Sequence, residues 1–348
     1  MEGFQMHNLK KILALLLAAA MLCVCAACGA ANSASSAASE AVASSAEASA
    51  AADGTGSSYH VGVVQLVQHE ALDAATQGFQ DALKDKLGDS VTFDVQNASG
   101  DSANCATIVN GFLSSGVDLI MANATPALQA ASAATADVPI LGTSVTDYAT
   151  ALEISDWNGT VGTNVSGTSD LAPLDQQAAM IKELFPDAKK IGLLYCSAEP
   201  NSVYQCDAME GYLTAEGYEV TRFTFTDTND VTSVTTTACE NSEVIYIPTD
   251  NTAANNTEAI ANVVLPAGVP VVAGEEGICA GCGVATLSIS YYDLGYATGE
   301  MAAQILAEGA DVSAMPVAYA ANVTKEYNAA NADLLNVTIP EGYVAIGG

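Results

Sequence analysis

Short apolar runs alternate with longer segments of helical period from residue 61 to residue 307. Runs bounded by glycine, asparagine and aspartate predict strands at 61–67, 91–96, 117–122 and 138–141, and amphipathic spacing predicts helices at 71–87, 105–114 and 126–134. The turn residues Asp156-Trp157-Asn158-Gly159 break this rhythm and open a second one. Its helices are predicted at 174–185, 201–215, 231–239 and 253–265, and its strands at 190–195, 218–223, 244–247 and 269–273. A strand at 284–289 and a helix at 292–307 follow, then short strands, a helical turn and a tail to Gly348. Strand and helix in turn build a parallel sheet covered on both faces. The expected fold class is therefore α/β, with two similar doubly wound parallel-sheet lobes.

In open sheets of this kind, ligands sit beyond the carboxyl ends of the strands. If the two lobes face each other with those ends inward, the residues following each strand line a cleft. They are Gln65 and His69, then 123–126, 144–147, 197–202, 249–251 and 274–277, all rich in small polar groups. The stretch Tyr246-Ile247-Pro248-Thr249-Asp250-Asn251 shows the choice each corner poses. Either Thr249, Asp250 or Asn251 caps the helix that follows, or the corner puts an acidic group at the mouth of a binding cleft. Asp147 has a comparable competing use in an Asx-turn. Glu275 and Glu276 can be read as the acid and base of a hydrolase, but adjacent side chains point apart, which favours a solvated or hinge pair.

The N-terminus adds a destination. A short basic segment at 7–11 precedes an apolar stretch at 12–24, and Cys25-Ala26-Ala27-Cys28 ends it with small residues. This is the layout of an export signal over residues 1–27, too short in its apolar part to span a membrane comfortably. Small residues just before Cys28 resemble the lipobox of bacterial lipoproteins, which makes Cys28 the expected lipid anchor on the extracytoplasmic face of the cell membrane. Residues 28–58 are almost wholly alanine, serine, glycine and glutamate and read as a flexible tether.

Charge removes some classes. The chain of 348 residues has 9 basic and 40 acidic side chains, a net charge of −31, so no nucleic-acid partner is expected. Beyond the signal and anchor six cysteines remain, at 105, 196, 206, 239, 279 and 282. Cys279 and Cys282 form the sharpest pair, but a zinc site needs two more ligands, so a loop disulfide or two idle thiols is expected, with no metal and no cofactor. The sequence also contains no GxSxG elbow, HExxH or P-loop.

Several segments together resemble one family. "VGVVQLVQHEALDAATQGF" from Val61, "NATPALQAA" from Asn123, "SVTDY" from Ser144, "SGTSD" from Ser166, "SAEPNSVYQ" from Ser197, "YIPTDN", "AGEEG" from Ala273 and "YYDLGYATGEMA" from Tyr291 are similar to ABC-transporter substrate-binding lipoproteins whose characterised members bind aromatic amino acids such as tryptophan or phenylalanine. The resemblance runs from about residue 61 to residue 340. It implies the type I periplasmic-binding fold, with a hinge crossed several times, and delivery of the ligand to a membrane permease by a monomer. The lobes are then expected at 59–148 plus 284–310 and at 149–283 plus 311–348.

A zwitterionic ligand needs a partner for its ammonium, donors for its carboxylate and an apolar slot. Asp250 is the first choice for the ammonium and Asp147 the second. The only arginine, Arg222, lies at the far end of a predicted strand, so the carboxylate is expected at helix starts, at Ala124, Thr125 and Pro126 in one lobe and at Asn201 and Ser202 in the other. Gln65, His69, Ser144, Thr146, Thr249, Asn251, Glu275 and Tyr291 complete the expected contact set. Three rival readings remain: the same cleft holding a sugar or nucleoside, a secreted cell-wall hydrolase using Glu275 or Asp250, and a receptor module that signals to a membrane partner.

Overall fold

The first sheet starts where the apolar pattern starts. In the computed structural model, which describes residues 58–347, the chain runs β1 (Tyr59–Gln65), α1 (Glu70–Leu87), β2 (Val91–Asn97), α2 (Ser102–Ser115), β3 (Leu119–Asn123), α3 (Thr125–Ala134), β4 (Ile140–Val145), α4 (Tyr148–Ala151) and β5 (Val165–Ser169). The export signal, Cys28 and the tether as far as residue 57 lie outside the described residues. The second lobe takes up α5 (Leu174–Leu184), β6 (Lys190–Cys196), α6 (Pro200–Ala215), β7 (Glu219–Phe225), α7 (Val231–Asn241), β8 (Val244–Ile247), α8 (Asn251–Ala254), α9 (Thr257–Ala267), β9 (Val271–Ala273), α10 (Glu276–Cys282) and β10 (Ala285–Ser288). Last come α11 (Tyr291–Glu308), β11 (Ala318–Tyr319), β12 (Thr324–Tyr327), α12 (Ala329–Leu334) and β13 (Val344–Ala345).

The strands form two sheets, ordered β11-β5-β4-β3-β1-β2 and β13-β12-β10-β9-β8-β6-β7. All pairings between these strands are parallel except β10 with β12. Apolar side chains fill both faces of each sheet, with Phe112 and Leu128 opposite Phe79 and Met121 in the first lobe, and Phe225 and Ile260 opposite Met209 and Tyr246 in the second. Two-sided burial is why the strands read as continuous apolar runs.

Three segments cross between the sheets: 170–173 after β5, 289–290 after β10 and 320–323 after β11. Sheet membership therefore divides the chain differently from the expected lobe limits. The strand predicted at 284–289 pairs with β9 and β12 of the second sheet, while β5 and β11, expected in the second lobe, close the first. An apolar run predicts a strand but carries no information on which of two sheets will satisfy its backbone. The long helix predicted at 253–265 divides into α8 and α9 at Asn255–Asn256, and α10 appears where only a polar corner was expected.

The return helix α11 lies against α1 at backbone distance. A Cβ built on Gly295 would stand 1.9 Å from the Ala75 carbonyl oxygen, and one on Gly78 would stand 2.1 Å from that of Tyr292. Glycine is needed at both places for close approach. This contact fixes the start of α1, which carries His69, against the start of α11, which carries Tyr291. Gly295→Ala is expected to push the helices apart and destabilise the protein by about 1–3 kcal/mol. Gly211→Ala, in α6 with nothing within 4 Å of the added methyl, is expected to leave the thermal midpoint unchanged or raise it. Equal midpoints for the two variants by calorimetry would contradict this account of the packing.

Candidate functional site

The strand ends of both lobes do converge. One cavity between them is lined by His69, Ala71, Leu72 and Ser144 from the first lobe, by Asn201, Thr249, Asp250, Asn251, Ala254 and Glu275 from the second, and by Asp170 and Tyr291 at two of the crossings. Eight of the residues singled out from the sequence are thus brought together: His69, Ser144, Asn201, Thr249, Asp250, Asn251, Glu275 and Tyr291. The free volume is about 10 Å³, room for about one water, so a molecule of amino-acid size enters only when the lobes part. A groove of about 220 Å³ adjoins it, sharing Asn251 and walled by Leu66, Val67 and Pro126 on one side and Ala198, Thr228 and Asn255 on the other.

The remaining expected residues do supporting work. Gln65 donates to the Val67 carbonyl (2.9 Å) and to Asp73 (2.6 Å) and accepts from Thr76 (2.7 Å), which uses its amide to pin the start of α1. Asp147 accepts from the Thr150 amide at 2.7 Å and caps α4, so its Asx-type use is the one realised, away from the cavity. Thr146 donates to Asp170 at 3.0 Å. Ala124 and Ser144 hold φ of 92° and 54°, values that cost a non-glycine residue energy and are kept where surrounding structure insists on them. Beyond Ala124, α3 starts without a side-chain cap, and the hydroxyls of Thr125 and Ser144 are buried with no protein partner.

Three carboxylates dominate the electrostatics. Asp250 accepts from the Ala253 amide (2.7 Å), capping α8, and from the Cys196 amide (2.7 Å). Glu275 likewise caps α10 through the amides of Gly277 (2.7 Å) and Ile278 (2.6 Å). Asp170 differs in being held by hydroxyls, those of Thr146 and of Tyr291, the latter at 3.0 Å. Burial raises the pKa of Asp170 to about 6 and that of Glu275 to about 7, and burial beside Glu199 raises that of Asp250. No lysine or arginine lines the cavity. Arg222 is engaged with Asp207 and Glu210 on the surface of the second lobe.

Sequence reasoning missed Asp170, and it placed Glu199 in the corner 197–202 without assigning it a role. Asp170 follows β5, in which Val165 is followed by four polar or small yet buried residues, Ser166 to Ser169, so no apolar run announced a strand there. Glu199 reaches back across the corner to the amides of Asn251 (3.0 Å) and Thr252 (2.8 Å), a pairing no local pattern reveals. The six cysteines of the folded part are free thiols, with Cys279 and Cys282 both buried. Among the described residues no cluster of acidic, histidine or cysteine side chains is placed to hold a metal ion, and no helix is long and apolar enough to cross a membrane.

The raised pKa values carry a sign. Asp170 and Glu275 hold a proton in the folded chain at pH values where the unfolded chain has lost it. Their contribution to stability is complete below about pH 4 and is lost as pH rises through about 6 and 7. The thermal midpoint of the protein alone is therefore expected to fall from about pH 5 to about pH 8, and Glu275→Gln to flatten that fall. An unchanged slope in the variant would count against this assignment.

Comparison with known proteins gives a consistent answer. A curated tyrosine-binding protein of Clostridioides difficile (strain R20291) is 38% identical over 261 residues, covering 74% of this chain and 75% of the relative. A Streptococcus pneumoniae ABC domain solved in complex with L-Trp is 33% identical, with a TM-score of 0.79 over 83% of this chain and 100% of that one. A ligand-free, open substrate-binding protein with adhesive properties from Clostridium difficile is 36% identical, with a TM-score of 0.64 over 83% of this chain and 99% of that one. The structure agrees better with the L-Trp complex than with the open protein, although the latter is nearer in sequence. With about 10 Å³ free between them and His69 meeting Asn251 across the gap, the lobes here are in a closed arrangement. The fold is that of type I periplasmic-binding proteins, and the family that matches is built for solute binding rather than catalysis. With a match to the ABC transporter substrate-binding protein model over residues 60–346, the chain belongs to that extracytoplasmic family.

Proposed function

We propose that this protein captures an aromatic α-amino acid between its lobes and presents it to an ABC permease, and that it does so as a monomer tethered to the membrane by a lipid on Cys28. The observation that carries the ligand reading is the cavity itself: three buried carboxylates and no lysine or arginine among its walls. A buried anion without a cation is costly, and a ligand ammonium supplies what the chain omits. The two similar proteins described as a tyrosine-binding protein and an L-Trp complex support the same class.

The roles differ from those expected of the sequence alone. Asp250 spends its oxygens on α8 and on Cys196, so it contributes charge more than contact. Asp170, with only hydroxyl partners on its carboxylate, is the ammonium's direct partner, and Glu275 adds field from beyond it. The ligand carboxylate lies toward Ser144, Thr125 and the uncapped start of α3, where free donors and the helix dipole favour an anion. The ring extends past Asn251 along Leu66, Val67 and Pro126. Contacts to both lobes then favour the closed state over the open one.

Thermal unfolding with a panel of L-tyrosine, L-tryptophan, L-phenylalanine, leucine, glucose and adenosine tests this reading. Ligand at about 100 times its dissociation constant adds roughly 2.7 kcal/mol to the folded state. A shift with aromatic amino acids is expected; a shift confined to the sugar or nucleoside would overturn the ligand class. Asp170→Asn is expected to weaken aromatic amino-acid binding roughly tenfold to a hundredfold. The same change is expected to raise the stability of the ligand-free protein, because a desolvated acid is removed.

A further inference from the structure

Glu199 fixes two amides at once. Its Oε2 accepts from the Asn251 side chain at 2.7 Å and from the Asn201 side chain at 3.1 Å. A carboxylate has only acceptors to offer here, so both NH₂ groups must face it and both amide oxygens must face away. Asn251 Oδ1 meets His69 Nε2 across the lobe boundary at 3.2 Å. Since that oxygen can only accept, Nε2 carries the hydrogen, and Nδ1 of a neutral ring is left as an acceptor. Burial favours the neutral ring by lowering its pKa, against the raising influence of Asn251, Glu199 and Asp73. Both leftover acceptors, His69 Nδ1 and Asn201 Oδ1, are buried without a protein partner, and both residues line the cavity.

These acceptors differ in kind from the carboxylates. Both are neutral; His69 bonds Asn251, which borders the groove assigned to the ring, and Asn201 shares the acceptor Glu199 with Asn251, whereas Asp170 bonds Tyr291 where the chain crosses between lobes. Building on the amino-acid reading above, we propose that His69 Nδ1 and Asn201 Oδ1 read a hydrogen donor on the ligand's side chain. The site then selects a phenol or an indole over a phenyl or aliphatic side chain. A ligand lacking that donor leaves both acceptors unpaired, where a single O–H or N–H satisfies one of them, a loss that hydrophobic contact alone does not offset. The discrimination lies in the penalty for the wrong ligand more than in added attraction for the right one.

Calorimetric titration with two pairs of ligands tests this: L-tyrosine against L-phenylalanine, and L-tryptophan against L-3-benzothienylalanine, in which sulfur replaces the indole N–H. The donor-bearing member of each pair is expected to bind roughly tenfold or more tightly. In His69→Leu both ratios are expected to shrink at least several-fold, on top of a weakening common to all four ligands from the lost contact with Asn251. Equal affinities within each pair for the unaltered protein would overturn the proposal, and this comparison needs no variant to fold. Equal weakening of all four ligands in His69→Leu would also overturn it, making His69 a closure contact only. Binding of none of the four would instead bring down the amino-acid reading on which the proposal rests.

Discussion

The structure depends on acids buried between two lobes with no protein cation to balance them. Two of the three are made tolerable by helix starts: Asp250 takes amides at α8, and Glu275 takes amides at α10. Amide donors lower the cost of a buried charge but leave its sign unchanged. Asp170 has hydroxyl donors to its carboxylate and sits where the chain first crosses between sheets. A closed cavity of this composition is stable only if its protons stay on or a cation enters. Ligand capture and protonation are therefore alternatives at one place.

The hinge gives that chemistry a lever. Asp170 lies in one crossing, and Tyr291, its hydrogen-bond partner, opens the helix just after another. The glycine contacts of α11 with α1 hold Tyr291 in a fixed relation to His69, whose ring meets Asn251 of the opposite lobe. A ligand touching Asp170, Ser144 and Asn201 therefore touches the hinge and both lobes. Differential affinity for the closed state follows from that geometry.

The alternation of strand and helix was legible because each strand is buried on both faces and each helix has one apolar side. The corners followed from the fold class, and seven of their residues share the cavity. Position after a strand does not reveal what a carboxylate does there. Asp147, Asp250 and Glu275 all follow strands and all cap helices, because the oxygen that can hold a ligand can also reach the third amide of the next turn. Asp170 stayed hidden behind a strand of buried serine, threonine and glycine, whose interior place depends on hydroxyl bonds such as that of Thr168 with Thr298 (2.8 Å). Periodicity of apolar residues is blind to a core made that way.

Proton exchange on ligand binding tests the central claim most directly. Isothermal titration with L-tyrosine at about pH 6.5, in buffers of different ionisation enthalpy, gives the number of protons moved. The account predicts release: Asp170 and Glu275 are partly protonated in the closed protein, and an arriving ammonium lowers their pKa values. The share of the release from Asp170 and Glu275 should fade by about pH 8, where both are already ionised. Binding with no proton exchange at pH 6.5, or with net uptake, would contradict the claim that the ligand supplies the missing cation.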